Sequence, residues 1–119
     1  MQSLFVGAPR GLNYITAMDR DAIIAMLRQH EAEFRQLGVE SLSLFGSAAR
    51  GENTEQSDVD LAVKLDHKRM PTGFHYATRL EELREKLEAA LGRPVDVVPE
   101  PVRKRRFQER IDKDRVLAF

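Results

Sequence analysis

Between Asp58 and Leu65 the chain alternates without a slip. Val59, Leu61, Val63 and Leu65 fall on one side of an extended strand, and Asp58, Asp60, Ala62 and Lys64 fall on the other. Successive strand side chains point to opposite faces. A strand of this kind belongs to a sheet with one face packed and one face polar. The rest of the chain therefore has to supply partner strands and a cover for the apolar side.

Both are legible. Ile23, Leu27, Phe34 and Leu37 recur at near-helical spacing, widened by Ile24 and Met26, with Asp19 placed to cap the start and Gly38 to stop it. The spacing predicts one helix over about 19–37. Val39 to Phe45 is short and apolar and ends at Gly46, which reads as a strand. Gly46 to Gly51 reads as a turn entering a short helix, and Glu52 to Ser57 as a loop. A second long helix is expected over about 74–91, with Tyr76, Leu80, Leu83, Leu87 and Leu91 on one face and Gly92 ending it. Pro94 to Val98 reads as a third strand, 102–113 as a basic helix, and the apolar tail Val116 to Phe119 as a segment that packs. The order implies an α+β fold, a small mixed sheet covered by helices on one side, with the other side open. Residues 1–18 show no period and read as a leader arm, leaving 19–119 as the one domain that 119 residues accommodate.

Composition narrows the function. Lys plus Arg and Asp plus Glu both number 19, so the net charge is zero and the chain carries no electrostatic footprint of bulk nucleic-acid binding. The same balance limits self-repulsion and suits a protein with a partner. There is no cysteine, which excludes disulfides, thiolate metal sites and cysteine nucleophiles. No apolar run approaches the roughly 18 residues of a membrane span. The expectation is a cytoplasmic protein without a membrane segment.

The chemistry concentrates in Gly46-Ser47-Ala48-Ala49-Arg50-Gly51 followed by Ser57-Asp58-Val59-Asp60-Leu61. A strand that ends in Gly-Ser and turns into a helix exposes backbone N–H groups at the positive end of a helix dipole, which favours an anion such as phosphate. Gly46 permits close approach of a ligand, and Ser47 adds a hydroxyl. Asp58 and Asp60, two apart on a strand, project from one face with Cα atoms roughly 6.5 Å apart. Two such carboxylates can share a hard cation, and Mg²⁺ favours a pair of carboxylates completed by substrate phosphates. Asp96 stands between Val95 and Val97 with the opposite face parity. If its strand neighbours the second one, it joins the other two acids. Three carboxylates beside a phosphate cradle would suit two-metal chemistry.

Gly-Ser, then Arg-Gly, then Ser-Asp-x-Asp-Leu at this spacing resembles the nucleotidyltransferase motif of the DNA polymerase β superfamily. In particular it resembles the minimal nucleotidyltransferases, or MNT proteins, short chains encoded beside HEPN-domain toxins, some of which act as antitoxins. The resemblance covers about 20–118. It implies ATP as substrate, Mg²⁺ (two ions) as cofactor, and transfer of AMP to a hydroxyl. It assigns Gly46 and Ser47 to the triphosphate, Asp58 and Asp60 to the metal, and Asp96 to the third acid and base toward the acceptor. A domain this short is expected to lack an acceptor-binding domain of its own. The acceptor is then expected on another molecule, a cognate HEPN toxin first and a small molecule second, in a possible hetero-oligomer.

Other residues admit two readings. Arg50 either binds phosphate or pairs with Glu52 or an aspartate to orient the motif. Ser57 either reaches a phosphate or hydrogen-bonds its own turn. His30, His67 and His75 have no partner at metal or triad spacing. The run Arg103-Lys104-Arg105-Arg106 reads as a solvated helix face, with phosphate contact or docking onto an acidic partner as the alternative. The function itself divides the same way: catalytic transfer, or a binding module that silences its partner by docking.

Overall fold

In the computed structural model, residues 19–54 and 56–119 are described, and the expected leader over 1–18 lies outside them. The elements run α1 (Arg20–Gln29), α2 (Glu31–Gln36), β1 (Val39–Phe45), α3 (Gly46–Ala49), β2 (Val59–Leu65), α4 (Phe74–Leu91), β3 (Val95–Pro99), α5 (Arg105–Asp114) and β4 (Val116–Leu117). The strands form one sheet in the order β3-β2-β1-β4. β2 pairs antiparallel with β1 and parallel with β3, so the sheet is mixed.

The single first helix expected over 19–37 is two helices. Asp19 does cap the start, accepting from the Ala22 N–H at 2.8 Å. The chain then turns at His30, at φ −105° and ψ 14°. No glycine or proline marks the break. The apolar stripe, however, has a gap of seven positions between Leu27 and Phe34, with polar His30 and Glu31 where the next turn would present core residues. Turning there lets α1 and α2 each bury its own apolar residues. Leu27 and Phe34 are both fully buried.

One side of the sheet carries the main core. Leu42 and Leu44 of β1 and Leu61 and Val63 of β2 pack with Ile23, Leu27, Phe34, Leu83 and Leu87 of α1, α2 and α4. Burying a side chain of this size contributes about 1.5–3 kcal/mol, and this cluster is the main source of stability. Gly92 ends α4 in a left-handed conformation, φ 70°, that glycine adopts without strain.

The opposite side is not wholly open. Ile111 and Phe107 of α5 pack on Phe45, Ala62 and Val98, forming a second, smaller cluster across the middle of that face. α5 thereby divides the polar face into two hollows. The apolar tail also does more than pack: Val116 and Leu117 pair antiparallel with β1 as the edge strand. Its anchor is polar. Arg115 donates to buried Ser43 Oγ at 2.9 Å and to Glu100 Oε1 at 2.9 Å, and Gln108 also donates to Glu100.

Candidate active site

Register decides what meets on the polar face. Phe45 pairs with Asp60 across β1 and β2, and Asp60 pairs with Asp96 across β2 and β3. Paired residues share a face, so Phe45, Asp60 and Asp96 form one row across three strands. Neighbouring strands lie about 4.8 Å apart, which sets the two carboxylates side by side. The next row, Ser43, Ala62 and Val98, lies under α5.

Gly46 closes the row from above. It takes φ +73°, a left-handed conformation, where β1 gives way to α3. A Cβ on Gly46 would overlap Asp60 Oδ2 and lie 3.2 Å from Asp60 Cγ. The carboxylate and the Gly46 backbone thus touch in a space that a side chain would fill. Ser47 follows at the start of α3. Gly46, Ser47, Asp60 and Asp96 line one cleft of about 350 Å³, joined by Arg50, Phe107, Arg110 and Asp114.

Asp58 is placed differently. It is the last residue before β2, is exposed, and does not line the cleft. Among the described residues no three His, Cys, Asp or Glu side chains close into a metal-binding group. The acids nonetheless sense one another. Burial raises the Asp60 pKa above its ordinary value, the Asp96 and Asp58 carboxylates raise it further, and Arg50 draws it part of the way back. The site is therefore a side-by-side pair with a third acid at its lip, rather than a closed three-carboxylate cage.

A hard divalent cation fits this arrangement. The donors are carboxylate oxygens, they repel one another when bare, and the absence of a side chain at Gly46 is what lets the Asp60 carboxylate sit at the turn. Mg²⁺ in particular takes one or two carboxylates and fills its remaining positions with water and substrate phosphates.

The loop that carries Asp58 is clamped from β3's side of the molecule. Arg93 Nη2 donates to the Thr54 and Ser57 carbonyls, each at 2.6 Å. Ser57 Oγ accepts from the Thr54 N–H at 3.0 Å, closing its own turn. Arg50 donates from Nε to Glu52 at 3.0 Å and from Nη1 to Asp114 at 2.7 Å, which ties the turn after α3 to α5.

Sequence reasoning did not single out Phe107, Arg110 and Asp114. They stand at i, i+3 and i+7 on one stripe of α5 and face the cleft, while Gln108, Asp112 and Arg115 face the other hollow. The spacing was visible. Nothing in a helix polar on nearly every side says which stripe meets a cleft.

The second hollow, about 390 Å³, is lined by Glu40, Lys64, Glu100 and Arg115 among others. Glu100 and Arg115 are already bonded to each other there. Each hollow is lined by three acids and two cations, but Glu100 and Asp112 are bonded to Arg115, whereas Asp60 and Asp96 form no hydrogen bond or ion pair among the described residues.

A mixed sheet that presents two acids on adjacent strands beneath a Gly-Ser turn defines an enzyme of the nucleotidyl-transferring class. Residues 27–118 match the family described as nucleotidyltransferase domain, and the chain belongs to that family. It is 40% identical over 79 residues to "Protein adenylyltransferase MntA" of Thermococcus cleftensis, covering 66% of this chain and 74% of the relative. It is 42% identical over 74 residues to "Putative protein adenylyltransferase MJ1379" of Methanocaldococcus jannaschii, covering 61% and 70%. Among solved structures, one described as "Structure of putative minimal nucleotidyltransferase" superposes with a TM-score of 0.68 at 29% identity, over 83% of this chain and 95% of that one. A crystal structure of the toxin-antitoxin MntA-HpeT superposes with a TM-score of 0.53 at 25% identity, over 84% and 71%.

Proposed function

We propose that the protein is a Mg²⁺-dependent adenylyltransferase that moves AMP from ATP onto a hydroxyl of a partner protein, a cognate HEPN-type toxin, and so acts as its antitoxin. The observation that carries this reading is the pairing of Asp60 with Asp96 in one row beneath Gly46. Two relatives carry adenylyltransferase names, and the likeness to a toxin-antitoxin complex supports the partner class.

In this reading Asp60 and Asp58 hold the cation, with Asp96 sharing it. When bound, the ion neutralises charge on the triphosphate and lowers the barrier to displacement at phosphorus. Gly46 and Ser47 receive the triphosphate through backbone N–H and hydroxyl donors. The acceptor oxygen attacks the α-phosphorus. A new O–P bond forms, the bond from the α-phosphorus to the bridging oxygen breaks, and pyrophosphate leaves. The acceptor's proton passes to the Asp96 carboxylate, whose place beside Asp60 sets it next to the reacting centre.

The test is incubation with α-labelled ATP, Mg²⁺ and the protein encoded next door, followed by intact-mass analysis. A gain of whole AMP residues on the partner, lost with Asp60→Asn, is the expected result. A tight complex and a silenced partner without any adduct would replace catalysis with docking.

A further inference from the structure

Two arginines line the acidic cleft, and they differ in what they already hold. Arg50 is committed, since Nε bonds Glu52 and Nη1 bonds Asp114. Arg110 forms no hydrogen bond or ion pair among the described residues, although Asp114 lies one turn further along α5. Asp114 is taken by Arg50. Arg110 is thus an unpaired guanidinium at the mouth of a cleft that also presents Asp60, Asp96, Gly46 and Ser47. Its neighbour Phe107 is held by an edge-on contact with Phe45, ring centres 6.0 Å apart, which fixes the α5 stripe against the acid row.

We propose that Arg110 is the phosphate-contacting cation of the cleft and binds the pyrophosphate portion of the nucleotide. This rests on the nucleotidyltransferase reading of the site and names a group that the motif does not contain. The physical need is specific. Two or three carboxylates repel a polyphosphate, and a cation on the α5 side of the same cleft draws the anionic tail toward that helix. A guanidinium offers paired donors that match phosphate oxygens. As the bond to the α-phosphorus breaks, charge builds on the departing pyrophosphate, and the same contact strengthens in the transition state. Placing the tail against α5 leaves the α-phosphate over the Asp60 and Asp96 row.

The experiment compares wild type, Arg110→Gln, Arg110→Lys and Arg106→Gln for binding of ATP, AMP and inorganic pyrophosphate by calorimetry with Mg²⁺, and for KM and kcat with the partner protein. Arg106 is exposed, carries no ion pair among the described residues and does not line the cleft, so it controls for general charge. The expected result is that Arg110→Gln weakens ATP and pyrophosphate by about tenfold to a hundredfold. AMP binding and the Arg106→Gln variant should stay at wild-type levels, and Arg110→Lys should recover part of the loss. KM for ATP should rise together with a fall in kcat, because the contact acts in both states. Equal weakening of AMP and ATP by Arg110→Gln, or equal effects of Arg110→Gln and Arg106→Gln, would overturn the proposal. Wild type that binds nucleotide and transfers AMP while Arg110→Gln is unchanged would overturn it and leave the function standing. Wild type that binds no nucleotide at all would remove both.

Discussion

Gly46 and Asp60 are in contact through the one surface that glycine lacks: a Cβ on Gly46 would occupy the space of the Asp60 carboxylate. The left-handed φ of +73° adds a second demand for glycine. Gly46→Ala should therefore pay twice, with about 1–2 kcal/mol of backbone strain and a displaced Asp60. Thermal unfolding should register the first. AMP transfer should fall by about a hundredfold, as expected when a reacting group moves by an ångström. Transfer at wild-type rate would mean that Asp60 tolerates displacement.

Asp60 should contribute less to the stability of the metal-free protein near neutrality than in mild acid. Its folded pKa is raised by burial, then by Asp96 and Asp58. The unfolded value is about 3.9. Between the two the native state binds more protons, so this residue's contribution falls as pH rises through the window and stays low above it. Asp60→Asn should remove that decline. Urea midpoints of wild type and variant should coincide below about pH 4 and separate above it, with the variant more stable. Added Mg²⁺ should restore wild type and leave Asp60→Asn unmoved. Superimposable pH profiles would count against a repelling acid pair.

Glu100 and Arg115 carry the opposite sign. The Glu100 side chain is 3% exposed, and the Arg115 guanidinium bonded to it holds its carboxyl below the ordinary value against the effect of burial, with help from Gln108. A lowered carboxyl pKa contributes stability that is present above the unfolded value and is lost as pH falls through the folded one. Arg115→Leu strands Glu100 and also frees Ser43 Oγ, and should cost about 3 kcal/mol or more. Denaturant titration at pH 7 measures this. A loss under about 1 kcal/mol would show that water reaches the pair, as at an exposed bridge.

Arg93 fixes the Asp58 loop through the Thr54 and Ser57 carbonyls. Arg93→Met should loosen residues 54–58 while leaving the main core intact. Hydrogen exchange should rise in that loop ahead of β1 and β2. Transfer should drop about tenfold or more from misplacement of Asp58. Full activity with a freely exchanging loop would show that Asp58 needs no clamp.

Asp96→Asn separates its two proposed roles. If it takes the acceptor's proton, the pH dependence of kcat should change as well as its size, by about a hundredfold or more. A fall in Mg²⁺ affinity with an unaltered pH profile would leave it only a cation ligand.

Much of this was legible from order along the chain. The alternation from Val59 to Leu65 marked which side of β2 faces the main core, because strand geometry has a period of two, but not that Ala62 on the other side is buried under α5. The Gly92 stop and the apolar stripe marked α4 at Phe74–Leu91, as the spacing predicts. The glycine before Ser47 and the paired aspartates pointed to the nucleotidyltransferase family through residue type and spacing alone. The split at His30 was not legible, since helix breaking there comes from how α1 and α2 settle on the sheet rather than from a glycine or proline. Nor was the strand at Val116–Leu117, two residues long and meaningful only beside β1.

By itself, then, the sequence determined the core-facing sides of β2 and α4 and the chemical identity of the acids, because both follow from local periodicity and side-chain type. Only the tertiary structure decided that Asp96 stands next to Asp60 while Asp58 stays at the lip, because strand register joins residues 36 positions apart. It also decided that α5 turns Phe107 and Arg110 toward those acids. That choice rests on Ile111 and Phe107 finding Phe45, Ala62 and Val98, an apolar contact between four segments that no local pattern encodes.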